Sequence, residues 1–115
     1  MYRLNVHLIR MVATHDQPCN TSPPGLHKDG EKYIAVYLLG RTNANGGENV
    51  ITDNSKKTLD RFELRDCGAG YIIDDDAVWH ALTPVYTPAG ERNRAFRDVL
   101  AVDFFSSPPT GRVRA

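Results

Sequence analysis

The stretch Leu26-His27-Lys28-Asp29-Gly30 sets an imidazole and a carboxylate two residues apart, just ahead of the β-branched and aromatic run from Lys32 to Gly40. Residues two apart diverge by about 200° on a helix but share a face on an extended segment, where the side-chain period is two. Pro23, Pro24, Gly25 and Gly30 oppose a helix here. The pair therefore converges, as a neutral imidazole and a carboxylate must if both are to hold one cation. A third donor is available in His80, which sits among Val78, Trp79, Ala81 and Leu82 rather than in an ordinary surface setting. Two histidines and one carboxylate form a facial set that leaves one side of an octahedral ferrous ion open to further ligands.

Each member also has an ordinary reading. An HxD pair is short enough to arise by chance, and His80 alone reads as a hydrogen-bonded sheet histidine. His7 and His15 have no comparable context and read as a sheet residue and a loop residue. Asp74, Asp75 and Asp76 could hold a cation, but three acids in a tight turn read as a solvated tip.

The elements that must position these side chains are short strands. Arg3 to Thr14 alternates through Leu4, Val6 and Leu8, with Ile9 and Met11 shifting the phase as a bulge does. Thr14 to Pro24 is an irregular, proline-bearing loop, and Lys32 to Gly40 reads as a mostly buried strand. Asn43, Gly46 and Gly47 supply turn geometry for a hairpin into a strand over Glu48 to Thr52. Thr58 to Leu64 reads as strand, although Ser55 could instead cap a helical turn. Two apolar runs flank the acidic turn in the segment from Gly70 to Tyr86, and Ala95 to Phe105 is the longest apolar run. Tyr33 and Tyr37 share a face and either line a cavity or pack. Trp79 points away from His80, toward an inter-sheet core or an interface. Many short strands with regular turn signals and no clear amphipathic helix describe an antiparallel sandwich or barrel, and a jelly roll of about eight strands just fits the length.

The chain has 115 residues, a single-domain length that buries a modest core, so any pocket competes with that core for space. We expect one domain over residues 1–107 and a flexible tail over 108–115. Fourteen basic residues balance fourteen acidic ones without a basic run, so nucleic acid is not the expected partner. No segment approaches the roughly 20 apolar residues of a membrane helix, and the N-terminal stretch is too polar for a signal peptide. Cys19 and Cys67 lack metal-type or paired spacing and read as free thiols in a reducing, cytoplasmic setting.

The pieces GLHKDGEKYIAVYLLGRTNANGGENVITDN, DDDAVWHALTPV and FRDVLAVDFF occur in an order that resembles the bacterial 2-oxoglutarate/Fe(II) dioxygenases, a family that includes hydroxylases of free amino acids such as L-isoleucine. The likeness runs from the first strand to Phe105. It implies a double-stranded β-helix of the jelly-roll, cupin-like kind in minimal form. It implies Fe(II) held by His27, Asp29 and His80, with 2-oxoglutarate and O2 as co-substrates, succinate and CO2 as products, and a hydroxylated amino acid or close derivative. It also assigns Arg97, at the start of the last strand, to the far carboxylate of 2-oxoglutarate. Charge accounting agrees with that role: the ion and its three ligands carry about +1, and the dianion brings the total to about −1 in a poorly hydrated site, where an unpaired charge costs several kcal/mol. A guanidinium offers that carboxylate two parallel N–H donors, which lysine cannot. The ordinary reading of Arg97 is a surface ion pair with Asp98 or Asp103, but alternation sets it on the face of Val99 and Ala101.

The family pattern includes a further N-terminal region, whereas this chain begins almost at its first strand. Pairing of two chains would supply a missing pocket wall and cover an exposed sheet edge, so a homodimer is one expectation. Two other functions compete. A cupin-like isomerase or cysteine-type dioxygenase would need three or four histidine ligands, and a non-enzymatic β-sandwich would bind a small acid or a protein partner.

Overall fold

The computed structural model of the chain describes residues 2–21 and 23–106, and the expected tail over 108–115 lies outside them. The described residues contain only strands, turns and loops: β1 (Tyr2–Ala13), β2 (Tyr33–Thr42), β3 (Asn45–Gly46), β4 (Glu48–Thr52), β5 (Thr58–Glu63), β6 (Gly70–Asp74), β7 (Trp79–Leu82), β8 (Val85–Tyr86) and β9 (Ala95–Ser106). One sheet has the order β1-β9-β2-β6, a second β5-β4-β7, and a small ribbon pairs β3 with β8. Every named pairing is antiparallel. The segment after β1 makes single bridges, Cys19 to Val85 and His27 to His80, and so takes the fourth place of the second sheet beside β7 and β8. With that place filled, successive segments alternate between two facing sheets except at the β4–β5 hairpin, which is the double-sheet jelly roll expected.

The inner face of the large sheet follows from the period of two. On β9, Ala95, Arg97, Val99 and Ala101 are buried while the residues between them are half-exposed. Ile34, Val36 and Leu38 are likewise buried on β2, with Ala35 between them buried as well, and pack with Leu64 and Phe62 from across the sandwich. Burying Leu38 completely contributes about 1.5–3 kcal/mol. A second cluster, Met11, Ala13, Val85 and Ala95, closes the other end.

Three local expectations fail. The bulge expected near Ile9 is absent, because β1 pairs with β9 without a break from Tyr2–Ser106 to Ala13–Ala95. From Tyr2 to Arg10 this edge strand is exposed, so no buried face imposes alternation and the phase change needs no bulge. The register shift lies in β2, between Leu38 and Gly40. The Gly46-Gly47 turn is not a hairpin between β2 and β4 either. Both glycines have positive φ (77° and 68°), and the chain crosses there from the large sheet to the second one. Trp79 is in neither a core nor an inter-sheet layer: it lies half-buried beneath the ammonium groups of Lys28 and Lys56. Tyr37, 43% exposed, belongs to the outer face of the large sheet. No helix among the described residues is long and apolar enough to cross a membrane.

Candidate metal and anion site

His27 and His80 face each other across the second sheet through a reciprocal backbone pair, His27 N–H donating to the His80 carbonyl (2.9 Å) and His80 N–H to the His27 carbonyl (3.1 Å). This pairing brings the two rings together, tilted by 57° with centroids 4.3 Å apart. Asp29, two residues on, turns its carboxylate to both imidazoles: His27 Nε2 lies 3.5 Å from Oδ1 and His80 Nε2 3.2 Å from Oδ2. One ligand atom from each of the three residues lies within 4.8 Å of the others.

The orientation of the two rings suits ligation. His27 Nδ1 is 2.8 Å from the Gly25 carbonyl, a contact it can make only as donor, and Nε2 is the ring nitrogen that faces Asp29. Burial pushes the His80 pKa below its ordinary value, with neighbouring His27 acting the same way against the pull of Asp29 and Asp75. His80 Nδ1 is buried and has no hydrogen-bond partner among the described residues. A neutral imidazole offers a ring nitrogen to a cation once that nitrogen is unprotonated, and Nε2 is the His80 nitrogen that faces Asp29. The donor set thus fits a divalent first-row ion with open positions.

Arg97 enters the same space from β9. A cavity of about 430 Å³ is bounded by His27, Asp29, His80 and Arg97 together with Tyr71 and Asn49. Arg97 is 3% exposed, and its Nε has no partner among the described residues. It forms no ion pair with Asp98, which instead binds Arg10 at 2.8 Å, nor with Asp103, which contacts His7 at 2.7 Å. Burial lowers the Arg97 pKa; the Tyr71 hydroxyl opposes that shift and Arg41 adds to it. A buried cation without a carboxylate partner is costly unless an anion joins it. Gly47 makes room for it: a Cβ there would lie 3.2 Å from Arg97 Cδ and 3.3 Å from its Nε. The turn glycine therefore serves close approach as well as backbone geometry. A larger depression, about 780 Å³, lies beside Thr14, Pro18, Glu48 and Tyr86 and includes none of these four residues.

Two contributors escape the sequence reading. Tyr71, on β6, faces the cavity, and burial pushes its hydroxyl up to about 12, against the influence of Arg97, so it remains a donor. Alternation along Gly70–Asp74 could have placed it opposite Val36 on the inner face. Asp75 is not part of a solvated tip. It is 2% exposed, and its carboxylate accepts the backbone N–H groups of Asp29, Gly30 and Glu31. Nothing in a run of three aspartates distinguishes the middle one. Burial and the adjacent Asp103, Asp29 and Asp75 push the Glu31 carboxyl up to about 8, which limits the negative charge around the site.

The family model described as 2OG-Fe dioxygenase matches residues 1–103. An L-isoleucine-4-hydroxylase of Bacillus thuringiensis is 34% identical over 102 residues, covering 88% of this chain and 41% of that protein. A 3(1)-hydroxy-L-isoleucine 4-dioxygenase of Pantoea ananatis (strain AJ13355) is 30% identical over 106 residues, covering 88% of this chain and 40% of that protein. The solved structure of IDO from Bacillus thuringiensis superposes with a TM-score of 0.84 at 30% identity, over 93% of this chain and 50% of that one. The chain therefore spans well under half the length of the curated relatives it matches.

Proposed function

Because the chain belongs to the 2OG-Fe dioxygenase family, we propose that it hydroxylates a free L-amino acid or a close derivative, with His27, Asp29 and His80 as the ferrous ligands and Arg97 as the counter-ion of 2-oxoglutarate. Ferrous iron with 2-oxoglutarate and O2 supplies the oxidising power for inserting one oxygen atom into a C–H bond, the other going to succinate as CO2 leaves. The single observation that carries the reading is the meeting of three ligand atoms within 4.8 Å in a cavity that also holds a buried guanidinium with an unpartnered Nε.

The chain's own residues have distinct tasks. The His27 ring is oriented by the Gly25 carbonyl, and the Asp29 carboxylate supplies the one negative charge of the ligand set. Arg97 binds the distal carboxylate of the co-substrate and brings the charge of the assembly from about −1 to zero, avoiding a desolvation cost of several kcal/mol. Tyr71 and Asn49 add polar groups to the cavity, while Ile9, Met11, Leu82 and Val99 give it apolar walls that exclude water and suit a small aliphatic side chain.

The purified protein, supplied with Fe(II), 2-oxoglutarate, ascorbate and single amino acids in air, is expected to release succinate faster with its substrate than without. Mass-spectrometric detection of succinate across an amino-acid library identifies that substrate. Unchanged succinate release on Asp29→Ala would remove the reading, and ligand binding without turnover would favour the non-enzymatic sandwich.

A further inference from the structure

Asp75 occupies a place that neither ligation nor simple turn formation accounts for. It lies in the β6–β7 connection, where its Oδ2 accepts N–H groups from Asp29 (3.1 Å), Gly30 (2.8 Å) and Glu31 (3.1 Å). Three consecutive amides thus converge on one carboxylate, the Asp29 N–H being shared with Oδ1 at 3.3 Å. The same turn is tied to the loop from both sides, since Lys28 Nζ donates to the carbonyls of Asp75 (2.9 Å) and Asp76 (3.0 Å) and Asp75 N–H donates to the Lys32 carbonyl (3.1 Å). The other carboxylate oxygen, Oδ1, lies 3.9 Å from His80 Nδ1. That distance exceeds a hydrogen bond, yet Nδ1 is buried without another partner, and Nε2 of the same ring faces Asp29 at 3.2 Å. His80 therefore stands between two carboxylates, one at each ring nitrogen.

We propose that Asp75 is a positioning residue of the metal site: one carboxylate that fixes the Asp29 backbone through the three amides and holds the proton of His80 on Nδ1, so that both ligands present their donor atoms to the same point. The inference rests on the assignment of Asp29 and His80 as ligands. Asp75 itself is not a ligand, because Oδ2 is occupied by amides and Oδ1 faces the wrong nitrogen of the ring. Ligand histidines generally donate their second N–H to such an acceptor, and loss of that acceptor weakens metal binding about 10–100-fold. A small approach of the His80 ring as Nε2 takes a cation would bring Nδ1–H to Oδ1. A carboxylate used only to clamp the loop would show no such coupling to metal.

The test is Co(II) titration of the full chain, read by visible absorption, for the natural sequence and for Asp75→Asn, Asp29→Ala and Leu64→Ala. Asn keeps the shape but removes the charge, and Leu64→Ala, in the core but not among the residues lining the cavity, serves as a control of reduced thermal stability. We expect Asp75→Asn to weaken Co(II) about 10–100-fold and to alter the ligand-field bands, with Leu64→Ala binding as the natural chain does. Asp75→Asn binding Co(II) as tightly as the natural chain, while Asp29→Ala does not bind it, overturns the role of Asp75 and leaves the ligand assignment standing. Equal weakening by Leu64→Ala also overturns it, as a stability effect. Failure of the natural chain to bind Co(II) at all overturns both. Should Asp75→Asn not fold, nitrogen-15 NMR of the natural chain with Zn(II) decides: a His80 Nδ1 proton protected from exchange supports the inference, and a freely exchanging one ends it.

Discussion

The two ends of the cavity are built on different principles. At the proposed metal end, backbone and side-chain hydrogen bonds brace the donor residues: His27 through Gly25, the 29–31 loop through Asp75, and the two histidines through each other's backbone. At the Arg97 end a buried guanidinium is held by packing, with Gly47 and Val85 close by and no carboxylate in contact. The first end is braced by the protein's own hydrogen bonds, with His80 Nδ1 left without a partner among the described residues. The second is left short of one anion, and it gains most when a ligand arrives. A preorganised corner spends little on ordering when it binds, whereas an uncompensated charge makes affinity depend on the partner's charge and shape.

The largest effect should come from breaking the braced end. Asp29→Ala removes the only charge in the ligand set and the group both imidazoles face. Metal affinity should fall more than about 100-fold, beyond what outer-shell changes produce, as measured by Co(II) or Mn(II) titration, and succinate release should vanish with it. Retention of tight binding would mean that the two histidines alone define the site.

Arg97→Lys breaks the other end. Lysine keeps the charge but replaces two parallel donors by a point charge, a difference of about 1.5–3 kcal/mol for a charged hydrogen bond. The 2-oxoglutarate concentration for half-maximal rate should rise about 10–100-fold, with metal affinity changing less than about twofold. Equal loss of both would show that Arg97 is structural and that the two ends are not separable.

How much of this contrast is legible in the sequence follows from its physics. His27 and Asp29 are adjacent in an extended segment, so local geometry alone makes them converge. Arg97 falls on the buried face of β9 by alternation. The strand pattern gives the all-β class because turns and β-branched runs are local signals. The failures are non-local. Asp75 differs from Asp74 and Asp76 only by what packs over it, and nothing in the order of residues announces the 29–31 amides. The crossing at Gly46 reads as a hairpin because paired glycines mark a sharp turn without saying which sheet the chain enters next. Alternation points Trp79 toward an inter-sheet core or an interface, whereas its partners are two lysines, Lys28 and Lys56, remote from each other in sequence.

A smaller change sharpens the contrast by acting on Arg97 indirectly. Gly47→Ala puts a methyl group 3.2 Å from Arg97 Cδ at a φ of 68°, where a side chain costs about 1–2 kcal/mol. The melting temperature should drop by several degrees, and the 2-oxoglutarate requirement should rise by a few-fold as the guanidinium shifts by tenths of an ångström. Co(II) affinity should hold. A loss of metal binding instead would mean that this turn supports the whole cavity rather than one end of it.

The smallest effect is expected where the two ends meet. The Tyr71 ring stacks edge-on against Phe62, centroids 5.3 Å apart, and its hydroxyl borders the cavity that both Asp29 and Arg97 line. That hydroxyl makes no hydrogen bond to another described residue, and burial holds it as a phenol up to about pH 12. Tyr71→Phe keeps the ring and its packing and removes only a donor, so thermal stability should change by no more than about 0.5 kcal/mol. If the phenol donates to the co-substrate, one neutral hydrogen bond is lost, about 1 kcal/mol, and the 2-oxoglutarate requirement rises about five-fold. If it faces the amino acid instead, the same factor appears in that substrate's KM while the 2-oxoglutarate requirement stays put. Steady-state kinetics varying each substrate in turn distinguishes the two, and an effect on neither would place Tyr71 among the walls, with Arg97 as the residue that gives that end of the cavity its chemistry.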